Sequence, residues 1–191
     1  MKMLKKILTV LAAIIVVLII ASFFMSSHSH TQRAMVINAP AEVVFNQVNT
    51  IKNWEQWSPW YKMEPDMKIT YNDVPSGTGA SYSWVGKKMG KGVMTIQSSK
   101  PNESIVTRLD FGDQGNATGG FNFKPTTGGV EVEWYLDAEN GMNPLKKYMS
   151  LIMSGFLKKS FDEGLTDLKK IAENMPKPEV STPATVDTTV Q

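Results

Sequence analysis

"VEVEWYLDAENGMNPLKKYMSLIMSGFLKKSFDEGLTDLKKIAENM", Val130 to Met175, changes its apolar period part-way along. Val130, Val132, Trp134 and Leu136 alternate with Glu131, Glu133, Tyr135 and Asp137. Such alternation marks a strand with one face in a core and the other in water. Asn143 followed by Pro144 then reads as a helix start, because Pro lacks only an N–H that the first turn does not use. Leu145, Met149, Ile152 and Phe156 form an apolar stripe that Phe161, Leu165 and Leu168 continue, so the spacing predicts one long helix over Asn143–Met175. Lys147, Lys158 and Lys169 recur every 11 residues, about 20° apart on the helix. They are expected on its solvated side, with contact to lipid headgroups as the alternative.

Upstream the period is two. Met67–Asn72 reads as a strand, Ala80, Tyr82 and Trp84 alternate with serines, and Met94 and Ile96 alternate with Thr95 and Gln97. Ile105, Leu109 and Phe111 line one side of the next strand, and Phe121 and Phe123 follow "GDQGNATGG", which reads as a loop. The glycines of that loop and of "GTGASY" suit turns, where positive φ is cheap for them. Gln32–Ile37 is a first strand, and Pro40 opens a short helix with Val44, Val48 and Ile51 on one side. "NWEQWSPWYKM", Asn53–Met63, holds three of the five tryptophans. Trp54, Trp57 and Trp60 fall roughly along one side of a helical turn or two. Trp54 and Trp57 are expected in the core, and Trp60, after the break at Pro59, at the mouth of a cavity. The order is therefore strand, short helices, six antiparallel strands and one long helix. Only the long helix is large enough to cover the apolar face of the sheet, which makes an α+β, helix-grip architecture.

Ahead of this domain, Ile7–Met25 contains 19 residues without a charge, about 28 Å as a helix and close to the thickness of a bilayer core. Lys2, Lys5 and Lys6 precede it, so the positive-inside rule places the N-terminus in the cytoplasm and the domain outside, in the periplasm of a cell with an inner membrane. A cleaved signal would have a shorter apolar region and small residues at its end. Here the bulky Phe23, Phe24 and Met25 stand instead, which favours a retained anchor. The expected organisation is a cytoplasmic N-terminus (1–6), transmembrane anchor (7–25), stalk (26–30), globular domain (31–175) and Pro-rich disordered tail (176–191). Without its three N-terminal lysines the chain carries 17 basic against 18 acidic residues. A near-neutral domain has no basic footprint for nucleic acid.

Several segments resemble the START-like, or SRPBCC, superfamily, in particular its polyketide cyclase/dehydrase-like, membrane-anchored bacterial members. They are "VINAPAEVVFNQVNTIKNWEQWSPW" (Val36–Trp60), "GASYSW" (Gly79–Trp84), "KGVMTI" (Lys91–Ile96) and "FLKKSFDEGLTDLKKIAE" (Phe156–Glu173). The resemblance spans the whole domain. It implies a helix-grip fold, a curved sheet around the C-terminal helix, with a deep apolar cavity between them that takes lipids, sterols, polyketides or other hydrophobic molecules.

Chemistry is restricted by what the domain lacks. The only histidines are His28 and His30, and there is no cysteine. Thr31–Gln191 therefore has no Ser-His-Asp or Cys-His arrangement and no His- or Cys-based metal site. No phosphate-binding glycine motif occurs, and no cofactor is expected. Glu131 and Glu133 read as solvated, while Glu64, Asp66, Asp110 and Asp113 lie in or near loops and read as ordinary loop charges. Tyr82 is the hydroxyl placed to orient a ligand, or else a core tyrosine with its OH at the rim. The candidate cavity lining is Trp60, Tyr82, Trp84, Met94, Trp134, Met149, Ile152, Met153 and Phe156, and no catalytic residue is assigned. Core filling explains the methionines equally well. The favoured function is a membrane-anchored binding module for a hydrophobic small molecule or lipid. The alternatives are a metal-free cyclase- or dehydratase-like enzyme and a ligand-free structural envelope protein.

Overall fold

Seven antiparallel strands make one sheet in the computed structural model, which describes residues 2–176. They are β1 (His28–Ile37), β2 (Lys68–Tyr71), β3 (Ser81–Val85), β4 (Lys91–Lys100), β5 (Ser104–Asp110), β6 (Asn116–Thr126) and β7 (Gly129–Glu139). The helices are α1 (Lys2–Phe23), α2 (Ala41–Asn49), α3 (Trp54–Trp57), α4 (Pro59–Met63) and α5 (Pro144–Glu173). The spatial order is β1-β7-β6-β5-β4-β3-β2. After β1 the chain crosses through the short helices to the far edge and returns by a meander until β7 pairs with β1. A register shift between Ile96 and Ser98 disrupts the β4–β5 ladder, the kind of irregularity that bends a strand and curves a sheet.

The core lies where the second half of α5 crosses the inner face. Phe161, Leu165 and Leu168 are fully buried there with Ile37, Val130 and Val132. The Trp134 ring stacks on Phe161 at 4.3 Å and on Phe121 at 5.1 Å, and Trp57 meets it edge-on at 5.6 Å. Gly164 makes the crossing possible, because a Cβ there would stand 2.7 Å from the Trp134 ring and 2.9 Å from Pro59. Trp54 and Trp57 are core, as expected, and their indole N–H groups donate to the carbonyls of Val48 and Gln47. Asn143 caps α5, its side-chain oxygen accepting from the N–H groups of Leu145 and Lys146.

Four expectations need correction. β1 starts at His28 rather than Gln32, so His28–His30 pair with Asp137–Glu139 of β7 and are not stalk. Asn116–Gly120 is strand rather than loop, because pairing with both β5 and β7 outweighs the weak strand preference of its glycines. The first half of the α5 stripe does not pack on the core: Leu145 and Ile152 are 70% and 71% exposed. Finally, Lys147 is only 3% exposed, its ammonium buried against the end of α1 rather than solvated. The tail expected from Pro176 lies, from residue 177 on, outside the described residues.

α1 is long and apolar enough to cross a membrane, and at 22 residues it measures about 33 Å. Its last turn is joined to α5. Lys147 Nζ donates to the Ser22 and Met25 carbonyl oxygens at 2.9 Å each, and the Tyr148 hydroxyl donates to the Leu18 carbonyl at 2.8 Å. A cation at a helix C-terminus satisfies carbonyls that have no partner within the helix and complements its dipole.

Candidate functional site

Between the inner face of the sheet and the first half of α5 lies a cavity of about 600 Å³. Its aromatic wall comes from β3 and β7. Tyr82 and Trp84 alternate inward on β3, and Trp84 lies across Gly92 of the neighbouring strand, where a side chain would collide with its ring. The Trp84 indole N–H donates to the Met89 carbonyl at 3.2 Å, fixing the ring on the turn between β3 and β4. Met94 and Trp134 complete this wall, and Trp60 closes one side, its ring 6.4 Å from Trp134 and 6.2 Å from Phe156.

The floor is made of small residues on β6. Ala117 and Gly119 point inward beside Thr107 of β5, and a Cβ on Gly119 would press on Leu136 and on the Thr107 hydroxyl. The absence of large side chains here leaves the volume open. The roof is α5, with Met149, Met153, Phe156 and Leu157 over the cavity.

Polar groups lie mainly at the rim. Ser29, Asn140 and Ser150 border the end nearest α1, where the Asn140 amide donates to the Ser150 hydroxyl at 3.1 Å and the Asn140 N–H donates to the Ser27 carbonyl at 2.7 Å. Lys88 borders the cavity on the β3–β4 turn. That turn is held by Glu64, whose carboxylate accepts the backbone N–H groups of Lys87, Lys88 and Met89. The Met89 N–H contributes most to holding this carboxyl below its ordinary value of 4.5. Glu64 is thus an ionised brace behind the rim.

Tyr82 is the interior hydroxyl of note. Burial pushes its phenol well above its ordinary value, with a smaller contribution from Tyr61. At neutral pH it is therefore a hydrogen-bond donor and not a base. No described residue hydrogen-bonds that hydroxyl, whereas Tyr61 and Tyr71 outside the cavity bond to each other, and the Tyr71 hydroxyl donates to Glu55.

Trp60, Tyr82, Trp84, Met94, Trp134, Met149, Met153 and Phe156 all line the cavity. Ile152 does not. One helical position from Met153, it projects away from the cavity and is 71% exposed. Sequence reasoning missed Ala117 and Gly119, because reading Asn116–Gly120 as loop removed them from the strand period, and Thr107, because it is a polar residue on the inward phase of β5 between Ile105 and Leu109. Extending the Phe121–Phe123 alternation backwards would have found the inward pair on β6. Of the carboxylates considered, Asp110 accepts from the N–H of Gly112 at 2.8 Å and Glu133 accepts from the Asn122 amide at 2.8 Å. None of Glu64, Asp66, Asp110, Asp113, Glu131 or Glu133 lines the cavity. His28 and His30 sit on the outward face of β1 beside Glu139 and Asp137, at 3.9 and 2.6 Å.

The family model described as "Polyketide cyclase / dehydrase and lipid transport" matches residues 28–173. No curated protein matches the chain. Among solved structures, a Bacillus halodurans protein is 16% identical, with a TM-score of 0.57 over 78% of this chain and 100% of its own. A Staphylococcus aureus protein of unknown function is 14% identical, with a TM-score of 0.58 over 76% and 94%. StfQ, a di-domain ARO/CYC from the steffimycin biosynthetic pathway, is 13% identical, with a TM-score of 0.56 over 76% of this chain and 51% of its own. At such identities these likenesses establish the shared fold.

Proposed function

The chain belongs to the polyketide cyclase / dehydrase and lipid transport family, and we propose that it is a membrane-anchored module that binds a lipid-like or other hydrophobic molecule in its cavity. The observation that carries this reading is the open volume of about 600 Å³ under α5, within the 300–1,000 Å³ usual for ligand sites. A filled, purely structural grip would leave no such space. Aromatic and Met walls supply apolar burial at about 25 cal/mol per Å², and the Tyr82 hydroxyl supplies one donor for a polar end of the ligand.

Retention of α1 is supported by Lys147. Its buried ammonium is satisfied by carbonyls of Ser22 and Met25, and removing the segment after synthesis would strip both partners from it. The N-terminal lysines then orient the helix, with the domain on the extracytoplasmic side. Resistance of the full chain to alkaline extraction from membranes tests the anchor, and release into the soluble fraction would refute it. For the ligand, the full chain freed of lipid in a fluorinated surfactant is titrated with cis-parinaric acid. Saturable binding that Ala117→Trp abolishes is expected, and a signal unaffected by that variant would refute the site.

A second reading has one observation in its favour. The unpartnered Tyr82 hydroxyl, held protonated inside an apolar cavity, is placed to polarise a carbonyl, as a metal-free cyclase or dehydratase requires. Turnover of a poly-β-ketone mimic, lost in Tyr82→Phe, would favour it over simple binding.

A further inference from the structure

We propose that the first half of α5 lies in the outer boundary of the same bilayer that α1 spans, and that the cavity opens onto that leaflet and takes an amphipathic lipid from it. This rests on the proposed anchor and ligand site, and adds where and how the ligand enters.

The depth follows from three hydrogen bonds. Tyr148 reaches the carbonyl of Leu18, and Lys147 reaches those of Ser22 and Met25. Leu18 stands seven residues before Met25, the end of the apolar run, or about 10 Å down the helix. The start of α5 therefore lies alongside the last two turns of a helix that is itself in lipid. Tyr and Lys are the side chains that suit this level, with an apolar body and a polar tip or a snorkelling ammonium.

The surface around them is largely apolar, broken by the exposed Lys146. Met142, Leu145, Leu151 and Ile152 are exposed by 64–71%, and the neighbouring end of α1 adds Phe23 and Phe24. In water such a patch is unfavourable, but at the headgroup–acyl boundary it is in its own solvent. The same segment forms the cavity roof. Met149 and Met153 are each about half exposed and also line the cavity. Lipid outside and cavity inside are thus separated by flexible thioether side chains, which adapt to a passing chain.

The absence of cysteine allows single nitroxide labels in the full chain, reconstituted in vesicles of phosphatidylcholine and phosphatidylglycerol. Labels go at Leu145→Cys and Ile152→Cys, with Val17→Cys as a reference within α1. Thr127→Cys serves as a reference at the opposite end of β7, about 33 Å from its α5 end. Collision rates with oxygen and with a water-soluble nickel complex report depth. Labels at 145 and 152 should behave like Val17 and unlike Thr127. If they collide with nickel as freely as Thr127 while Val17 is protected, the docking proposal is overturned and the anchor stands. If Val17 is also accessible, the anchor reading falls with it. Shielding from both reagents with coupling between labels would assign the patch to a second copy of the chain and overturn the proposal. Ile152→Glu should slow uptake of a fluorescent phospholipid from the vesicle about tenfold, since a charge is costly in the bilayer boundary. An unchanged rate would contradict entry through this face.

Discussion

The ammonium of Lys147 on α5, a residue only 3% exposed, donates to the carbonyl oxygen of Ser22 on α1 over 2.9 Å. This bond joins the apolar N-terminal helix to the domain that carries the cavity. Lys147→Met keeps the length of the side chain and removes its donors, leaving the carbonyls of Ser22 and Met25 without this partner. The Ser22 carbonyl still accepts the Met25 N–H, so the cost is that of lost charge-assisted hydrogen bonds, about 1–3 kcal/mol. The expected result is faster hydrogen exchange in residues 19–25 and in the first turn of α5, with β5–β7 unchanged. Equal exchange in both forms would show that the contact couples nothing.

Two glycines of α5 should respond in opposite directions. Gly155 has open space around it, so Gly155→Ala should raise stability by up to about 1 kcal/mol through helix propensity. Gly164→Ala gains the same propensity but drives a methyl group into the Trp134 ring and Pro59, and overpacking of that kind costs about 1–3 kcal/mol. Urea melts of the two variants check both signs.

Tyr82→Phe should weaken binding of a fatty acid probe by about 0.5–1.5 kcal/mol, the worth of one hydrogen bond. Binding of a hydrocarbon of equal length should be unchanged, because the ring and its packing remain. Equal losses for both probes would mean that the hydroxyl supports the wall and not the ligand.

Glu64 makes stability depend on pH in the acid range. Its folded-state value lies below 4.5 because backbone N–H groups, that of Met89 first, bind the carboxylate. Its contribution is complete above the unfolded-chain value of about 4.3 and is lost as pH falls through the lower folded value. The stability difference between the wild type and Glu64→Gln should therefore be flat above pH 4.5 and shrink below it in denaturant melts. His30 acts in the opposite sense. Hydrogen bonds to Gln32 first, then Asp137, raise it above 6.5, so its contribution is present below that value and fades as pH rises through the folded value.

Much of this architecture was legible in local patterns. The alternation from Val130 to Asp137 located β7 and its inward Trp134, and Asn143–Pro144 located the start of α5. A helix period reports which residues share a side, but not what that side meets. Leu145 and Ile152 were joined to the stripe of Phe161 and Leu168, but the nine residues from Ile152 to Phe161 turn the helix by about 180°, so the two pairs lie on opposite sides and only the second meets the core. Lys147 was read as solvated for a different reason. Its partners are backbone carbonyls some 120 residues earlier, which side-chain patterns do not display. Gly119 was lost to the loop because a strand without side chains has no period, and its purpose, leaving volume empty, shows only in three dimensions.

The occupant of the cavity is the centre of the account, and photo-crosslinking tests it most directly. The full chain in native membranes is exposed to a diazirine-bearing fatty acid, irradiated and mapped by peptide mass spectrometry. Adducts are expected on Tyr82, Trp84, Met94 and Met153, and Ala117→Trp, which fills the floor, should remove them while leaving adducts on α1. Adducts confined to α1 in the wild type, with the cavity wall unlabelled, would contradict the account.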